Sequence, residues 1–462
     1  MSATVPTPVD VVAVVEPIVN ITPKPKYGVI EGPETVSWQP MPASSVSNSN
    51  IQIQANMPNR GTIIDRRVWI QLFANFAITG TVPGGGVPLL AFGTSDAFRA
   101  FPITSCTDTM SMKIGGKSVT CGNMQQIWPF LFRYHNPIVQ RDIDYSVTPA
   151  QLDQFQEYSQ GLASNRSPFA PYGTNTAEMS RGGWTASQIT ALVNPAPVAP
   201  GTVTATFSVV LQEPLLLSPF LFAKGDEEAG FISVDQFNYS QTFSSLSRMW
   251  SRFNQVGGSV VDPTIAGQGV VVTLTGAQLL FRQLTPNPMV AVPRSLSYSY
   301  FNPVLYQTQG PTAIVPGATT TLQSSVITLP GIPRRIYIWA SEVFTNLTFL
   351  TSDTMFAIDN VTLKWGTKTY LREATPIQLY SIAIKNGSNL SWPQWTSFCG
   401  GILCLQMGSD VGLSVTESAG SEGKFQIQVA LTCRNLNPTR TILPNLNIVA
   451  VQEGVKLIAP VW

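Results

Sequence analysis

Two segments of this chain, DRRVWIQLFA from Asp65 and IPRRIYIWAS from Ile332, share one pattern: a pair of arginines opening an aromatic-rich apolar run. Further matches follow in the same order. Asp108-Thr109-Met110 corresponds to Asp353-Thr354-Met355, and Gly116-Lys117 loosely to Gly366-Thr367-Lys368. Gln126-Ile127-Trp128 corresponds to Gln378-Leu379-Tyr380. TATFSVVLQEPLLLSP parallels GKFQIQVALTCRNLNP, and VVVTLTGAQLLFRQL parallels NLNIVAVQEGVKL. A β-rich chain can produce any one such pair by chance. The ordered set, separated only by loops of different length, points to two copies of one fold.

Strand patterns dominate both copies. IQIQANM (Ile51 to Met57) alternates, RVWIQLFANFAITGTV is β-branched and aromatic, and MSMKIGGKSVT reads as a hairpin around Gly115-Gly116. TVTATFSVVLQEPLLL, GFISVDQFNYSQTF and GVVVTLTGAQLLFRQL complete the first copy. SLSYSYFNPVLY, TTTLQSSVITL, RRIYIWASEVF, FAIDNVTLKWG, IQLYSIAIKNG, GKFQIQVALTC and NLNIVAVQEGVKLI read as strands of the second. Core positions are expected at Trp69, Ile70, Leu72 and Phe73, and at Ile336, Tyr337, Ile338 and Trp339, on alternating faces. Helical patterns are confined to one insertion in the first copy, about 137–200. There, Thr148 to Leu162 has a Thr cap with Pro at the first helical position, and Thr185 to Val193 is a second short candidate. The proline-rich TPNPMVAVPRS (Thr285 to Ser295) is the internal boundary. The expected organisation is an extended proline-rich arm over 1–50, a first sandwich over 51–287 and a second over 288–462.

The chain offers little chemistry. His135 is the single histidine, and no GxSxG or HExxH motif surrounds it. GGGVP at Gly84 and GGK at Gly115 do not make a phosphate-binding loop. The expectation is no enzyme, no catalytic, cofactor-binding or metal-binding residues, and no cofactor. Net charge is +1 without a basic run, which argues against sequence-specific nucleic-acid binding. Five cysteines stand at 106, 121, 399, 404 and 433, with no CxxC. Cys399 and Cys404 flank CGGILC and could pair locally; buried reduced thiols are the simpler reading. Asp10, Glu16 and Pro17 interrupt the first apolar run, so no signal peptide is expected, and no stretch is long enough for a membrane helix. Only 11% of residues are charged, against about a quarter in an average soluble domain. That balance suits surfaces buried against other copies.

Two tandem eight-stranded sandwiches, together with LPGIPRRIYIWA, QLYSIAIKNGSNLSW and LSRMWSRF, resemble the double jelly-roll major capsid proteins of tailless icosahedral DNA viruses. Adenoviruses, virophages and polinton-like viruses belong to that lineage. The resemblance implies a structural protein of the virion, made in the host cell. It implies hexon-like, pseudo-hexameric homotrimers that tile an icosahedral shell and contact neighbouring trimers, penton and minor capsid proteins, and in some cases an internal membrane.

Two other readings stay open on residues alone. In a carbohydrate-binding or adhesion protein, Trp184, Trp250, Trp392 and Trp395 would serve as stacking platforms, although core or interface positions are the more usual fate of tryptophan. A two-sandwich hydrolase would need converging carboxylates. Asp226, Glu227 and Glu228 in KGDEEAG are adjacent in a Gly-flanked turn, so their side chains diverge.

Overall fold

The computed structural model of the chain describes residues 39–56, 63–92, 95–114, 117–135, 181–218, 220, 230–231, 234, 236–252, 254–256, 259–261, 267–284, 296–351, 356–398, 400–437 and 440–458. In the first half, eight principal strands follow in order: β1 Gln39–Pro42, β2 Asn50–Asn56, β3 Trp69–Val82, β4 Thr107–Ile114, β5 Lys117–Gly122, β6 Gly201–Pro214, β7 Gln236–Phe243 and β8 Gly269–Phe281. They form two antiparallel sheets, β1-β8-β3-β6 and β2-β7-β4-β5.

The second half repeats this. Its strands are β9 Leu296–Gln309, β10 Thr319–Gln323, β11 Arg335–Glu342, β12 Ala357–Trp365, β13 Lys368–Tyr370, β14 Leu403–Gln406, β15 Glu422–Arg434 and β16 Pro444–Ile458. Ile327–Gly331 continues β10 along β15 after a break. The sheets are β9-β16-β11-β14 and β10-β15-β12-β13. Each strand thus has its counterpart eight places later. Both orders are those of an eight-stranded Greek-key sandwich, the jelly roll. The fold is a double jelly roll.

Alternation along the strands explains the burial. Ile51, Ile53 and Ala55 of β2 point inward, and so do Ile70, Leu72, Ala74, Phe76 and Ile78 of β3. Trp69 and Phe73, expected in the core, lie on the other, half-exposed face of β3. In β11, by contrast, Ile336, Tyr337, Ile338 and Trp339 are all buried, because both faces of that strand are covered.

Among the described residues, three α-helices interrupt the strands: α1 Met124–His135, α2 Arg181–Gln188 and α3 Pro376–Lys385. Helix α3 corrects the strand expected at IQLYSIAIKNG. It is preceded by Thr375, whose backbone N–H is taken by the Gln378 side chain at 2.9 Å, and Pro376 occupies the first turn, where its missing N–H costs nothing. α1 and α3 each follow the hairpin of their own copy, so Gln126-Ile127-Trp128 and Gln378-Leu379-Tyr380 do correspond, as helices. The helix expected at Thr185 to Val193 stops at Gln188. Thr190–Val193 is instead an edge strand on β6, entered through Ala191 at φ 53°.

The match of TATFSVVLQEPLLLSP with GKFQIQVALTCRNLNP is also corrected. The first is β6 and pairs with β3; the second is β15 and pairs with β12. The true counterpart of β6 is the four-residue β14, and that of β15 is β7. Strand β1 lies inside the span assigned to the arm and pairs with β8, Gln39 opposite Phe281. Cys404 is the second residue of β14 rather than a turn flank, and it is an unpaired, buried thiol. Residues 1–38 of the arm, Thr148 to Leu162, Thr285 to Ser295 and Cys399 lie outside the described residues.

Candidate functional site: the junction between the sandwiches

What covers the second face of β11 is α1, a helix of the first sandwich. Gln126, Phe130 and Tyr134 are spaced four residues apart, so they form one stripe along it. Each touches the second sandwich. Gln307 of β9 donates from Nε2 to Gln126 Oε1 at 2.7 Å and to Asn447 Oδ1 at 2.8 Å. The ring of Phe130 lies 5.5 Å from that of Trp339. Tyr134 meets Tyr337 edge to face at 5.6 Å, and its hydroxyl donates to Ala383 O at 2.7 Å. Offset and edge-on aromatic pairs of this kind add to the free energy of apolar burial. The N–H of Asn389 returns a bond to Tyr134 O at 3.1 Å.

The helix is anchored on its own side as well. It packs on the short turn Thr104–Cys106 and on β4. Gln125 donates to Asp108 Oδ1 at 3.4 Å and accepts from Ser244 Oγ at 2.5 Å. Met124, Ile127 and Leu131 are buried on a further face. The Asp108 found in the sequence repeat therefore helps hold α1 in place.

A second part of the junction comes from the segment after β11. Arg99, fully buried, donates from Nε to Arg248 O at 3.0 Å and from Nη2 to Thr348 O and Thr351 O at 3.1 and 2.9 Å. The N–H of Arg252 reaches Phe349 O at 3.0 Å, and the Arg248 guanidinium lies 5.0 Å from the centre of the Phe344 ring. A planar guanidinium with five donors suits this role, because it can satisfy several backbone carbonyls from one buried position. Ser218 adds a third link by accepting from Phe301 N at 3.0 Å. One apolar core runs through both sandwiches.

The buried ionisable groups near this junction serve structure. Burial pushes the Cys404 thiol up to about 11 despite Arg335 and the Tyr134 and Tyr337 hydroxyls. It also pushes both of those tyrosines upward. Asp96 is raised by burial, opposed by Arg252, whose Nε lies 3.2 Å from Oδ1. Gly80 makes room for that arginine: a Cβ there would stand 2.7 Å from Arg252 Nη1. Among the described residues, no group of three His, Cys, Asp or Glu side chains is placed to hold a metal, and no helix is long and apolar enough to cross a membrane.

The candidate stacking platforms separate. Trp184, Trp250 and Trp395 are core residues; Trp250 stands at the centre of a cluster with Phe76, Phe98 and Phe207. Trp395 packs over Gly401, where a Cβ would lie 2.7 Å from the ring. Only Trp392 of the four is exposed, edge-on to Tyr380 at 5.3 Å. His135 is the last residue of α1, and Asp226, Glu227 and Glu228 lie outside the described residues. The junction stripe and Arg99 escaped the sequence reading. The available signal was the aromatic density of IWPFLFRYH, which exceeds what one buried helix face needs.

The family described as Sputnik virophage major capsid protein, first domain, matches residues 8–284, and that described as major capsid protein V20, C-terminal domain, matches 303–454. The chain belongs to the Sputnik-type virophage major capsid protein family. The V20 capsid protein of Sputnik virophage is 30% identical, over 98% of this chain and 78% of its own length. The cryo-EM structure of the Sputnik virophage contains a chain of the same fold, with a TM-score of 0.81, 29% identity, and coverage of 98% of this chain and 92% of that one. The mavirus major capsid protein crystal structure shares the fold at a TM-score of 0.71 and 14% identity, covering 99% of this chain and 95% of that one. This virophage major capsid protein is accordingly a structural component of the virion capsid, and its place is in capsid-forming assemblies.

Proposed function

We propose that three copies of this major capsid protein form a pseudo-hexameric homotrimer, and that such trimers tile the icosahedral shell beside penton and minor capsid proteins. The observation that carries this reading is the junction. Helix α1 and the buried Arg99 bind the two sandwiches into one unit, so each chain supplies two similar, rigidly paired blocks. Three such units present six blocks to a hexagonal lattice. The low charged fraction fits extensive contact between copies.

The role is contact area without catalysis. The division between the sandwiches falls near residue 287, in the proline-rich stretch 285–295, and the segment before β1 acts as a connecting arm. An internal membrane beneath the shell is compatible with such a building block. Negative-stain imaging and native mass measurement of the purified protein test the reading. Trigonal or hexagonal particles of three chains are expected; monomers or two-fold dimers at micromolar concentration would overturn it.

A further inference from the structure

Each half of the chain owns one junction element that the other half does not use. The first sandwich gives its helix, α1, and the second gives the outer face of its β9-β16-β11-β14 sheet. Left over are the solvent side of the second sandwich's helix, α3, whose Ala383 carbonyl already takes the Tyr134 hydroxyl, and the outer face of the first sandwich's β1-β8-β3-β6 sheet. Both leftovers expose apolar side chains among polar ones, the sheet face carrying the pairs Thr79–Thr204 and Asn75–Ser208 as well. On α3, Ile377 is 61% and Ile384 41% exposed, with Tyr380 and Ile382 half-buried beside them. On the sheet, Val271 of β8 is 64% and Val210 of β6 41% exposed, beside half-buried Phe73. One step along the strands from Phe73 and Val210, on the side away from Val271, the amides of Gln212, Gln71 and Gln278 form a hydrogen-bonded row across β6, β3 and β8.

We infer that α3 of one copy docks on the outer β3 face of a second copy, reproducing between chains the contact that α1 makes with β11 within the chain. This rests on the trimer reading and specifies its interface. The repeat sets the register. Arg66-Arg67 and Arg334-Arg335 align Gln71 with Trp339, and each lies opposite the last strand of its sandwich, at Gln278 and Asn447. Gln126 aligns with Gln378, so Phe130 aligns with Ile382. The internal pair Phe130–Trp339 therefore becomes Ile382 over Gln71 between copies. Gln378 and Ser381 bring polar groups to the amide row.

One helix and one sheet face per chain make the contact heterologous. Such a contact closes into a ring when the rotation permits and otherwise forms open chains. Since each chain already contains one copy of the same helix-on-sheet step, three chains supply six steps, alternately internal and between chains.

The test is a short bismaleimide applied to the full-length double variant Gln71→Cys with Ile382→Cys. Covalent trimers should dominate for the double variant, with neither single variant exceeding wild type. An equimolar mixture of the two single variants should give covalent dimers. Trimers that form normally but do not cross-link would overturn the inference while leaving the trimer reading intact. A wild-type protein that is monomeric throughout would overturn both. As an independent arm, Ile377→Asp with Ile384→Asp alters only exposed positions. It should leave the fold intact by circular dichroism and raise the concentration at which trimers dissociate by about tenfold or more, as expected for apolar anchors of an interface. Unchanged trimer stability in that variant would also overturn the proposed surface.

Discussion

The hydroxyl of Tyr134 donates to the carbonyl of Ala383 at 2.7 Å, and the two residues belong to helices that hold the same place in the two copies of the repeat. The ends of α1 and α3 are thus tied together at the junction. Two jelly rolls that could have been linked only by a proline-rich connector are fixed at a set orientation. A tile in a lattice needs that property, since error in the angle between its halves would accumulate across the shell.

Phe130→Ala should loosen this lock. Phe130 is buried and rests on Trp339, and removing such a ring from a packed interface costs about 3–5 kcal/mol. The loss falls on the contact between sandwiches more than on either core. Calorimetry of the variant should show two resolved unfolding transitions where the wild type shows one. A single transition, merely shifted, would mean that Arg99 and its carbonyl partners hold the halves together without the helix.

How much of this was legible in the sequence depends on period. β2, β3, β7, β8 and β15 alternate apolar and polar residues, so their chemistry shows in the linear pattern. IQLYSIAIK carries apolar residues so densely that it suits a strand or a helix equally. The deciding signal lay just outside it, in Thr375, Pro376 and the spacing to Gln378. β14 was hidden by its length: four residues after Gly400-Gly401 make a weaker pattern than the thirteen of β15, which drew the false match to β6. The junction was not legible because it is a relationship between distant segments. Tyr337 and Trp339 look like core residues in any strand, and nothing local shows that a helix from the other half covers them.

Arg252→Met should be strongly destabilising. Its guanidinium is the charge partner of Asp96, which is fully buried and also accepts from Ser95, Ala91 and Trp250. Removing one member of a buried pair strands the other, at a cost of about 3–5 kcal/mol. Adding Asp96→Asn removes the stranded charge and should restore part of the loss. Urea denaturation of the two variants checks this. A single variant within about 1 kcal/mol of wild type would show that Asp96 takes up a proton at little cost.

Glu213 predicts a pH dependence. Its carboxylate is fully buried at the end of β6 and accepts from Ile103 N, Thr104 N and Thr104 Oγ1 at 2.6, 2.9 and 2.7 Å. Burial pushes its pKa from 4.5 up to about 7, against the pull of the Thr104 and Ile103 hydrogen bonds. Between those values the folded chain holds a proton that the unfolded chain has released. Stability from this group is therefore full below about pH 4.5 and lost as pH rises toward 7. The loss is on the order of 3 kcal/mol at about 1.4 kcal/mol per pKa unit. Glu213→Gln places an amide donor toward donors and should be less stable at acid pH, but its stability should fall less between pH 5 and 7.5. Parallel pH slopes for the two proteins would show that Glu213 titrates normally.

Deleting residues 1–38 should separate building block from lattice. The cut stops before β1, because Gln39–Pro42 pairs with β8 and its loss would open the first sandwich. The deleted segment contains VDVVAVVEPIVNI within a proline-rich frame. Prolines keep such a chain from forming a regular helix, so its valines and isoleucines must find apolar surface elsewhere. Burying one such side chain is worth about 1.5–3 kcal/mol, and several docked on a neighbour outweigh much of the backbone entropy lost on ordering, about 1–2 kcal/mol per residue. In the proposed assembly the two sandwiches make the trimer, so the truncated protein should sediment as a trimer with unchanged circular dichroism yet fail to form closed shells under conditions where the full chain assembles. Normal shells from the truncated protein would show that the arm is not the connector. Monomers would place the arm inside the trimer itself.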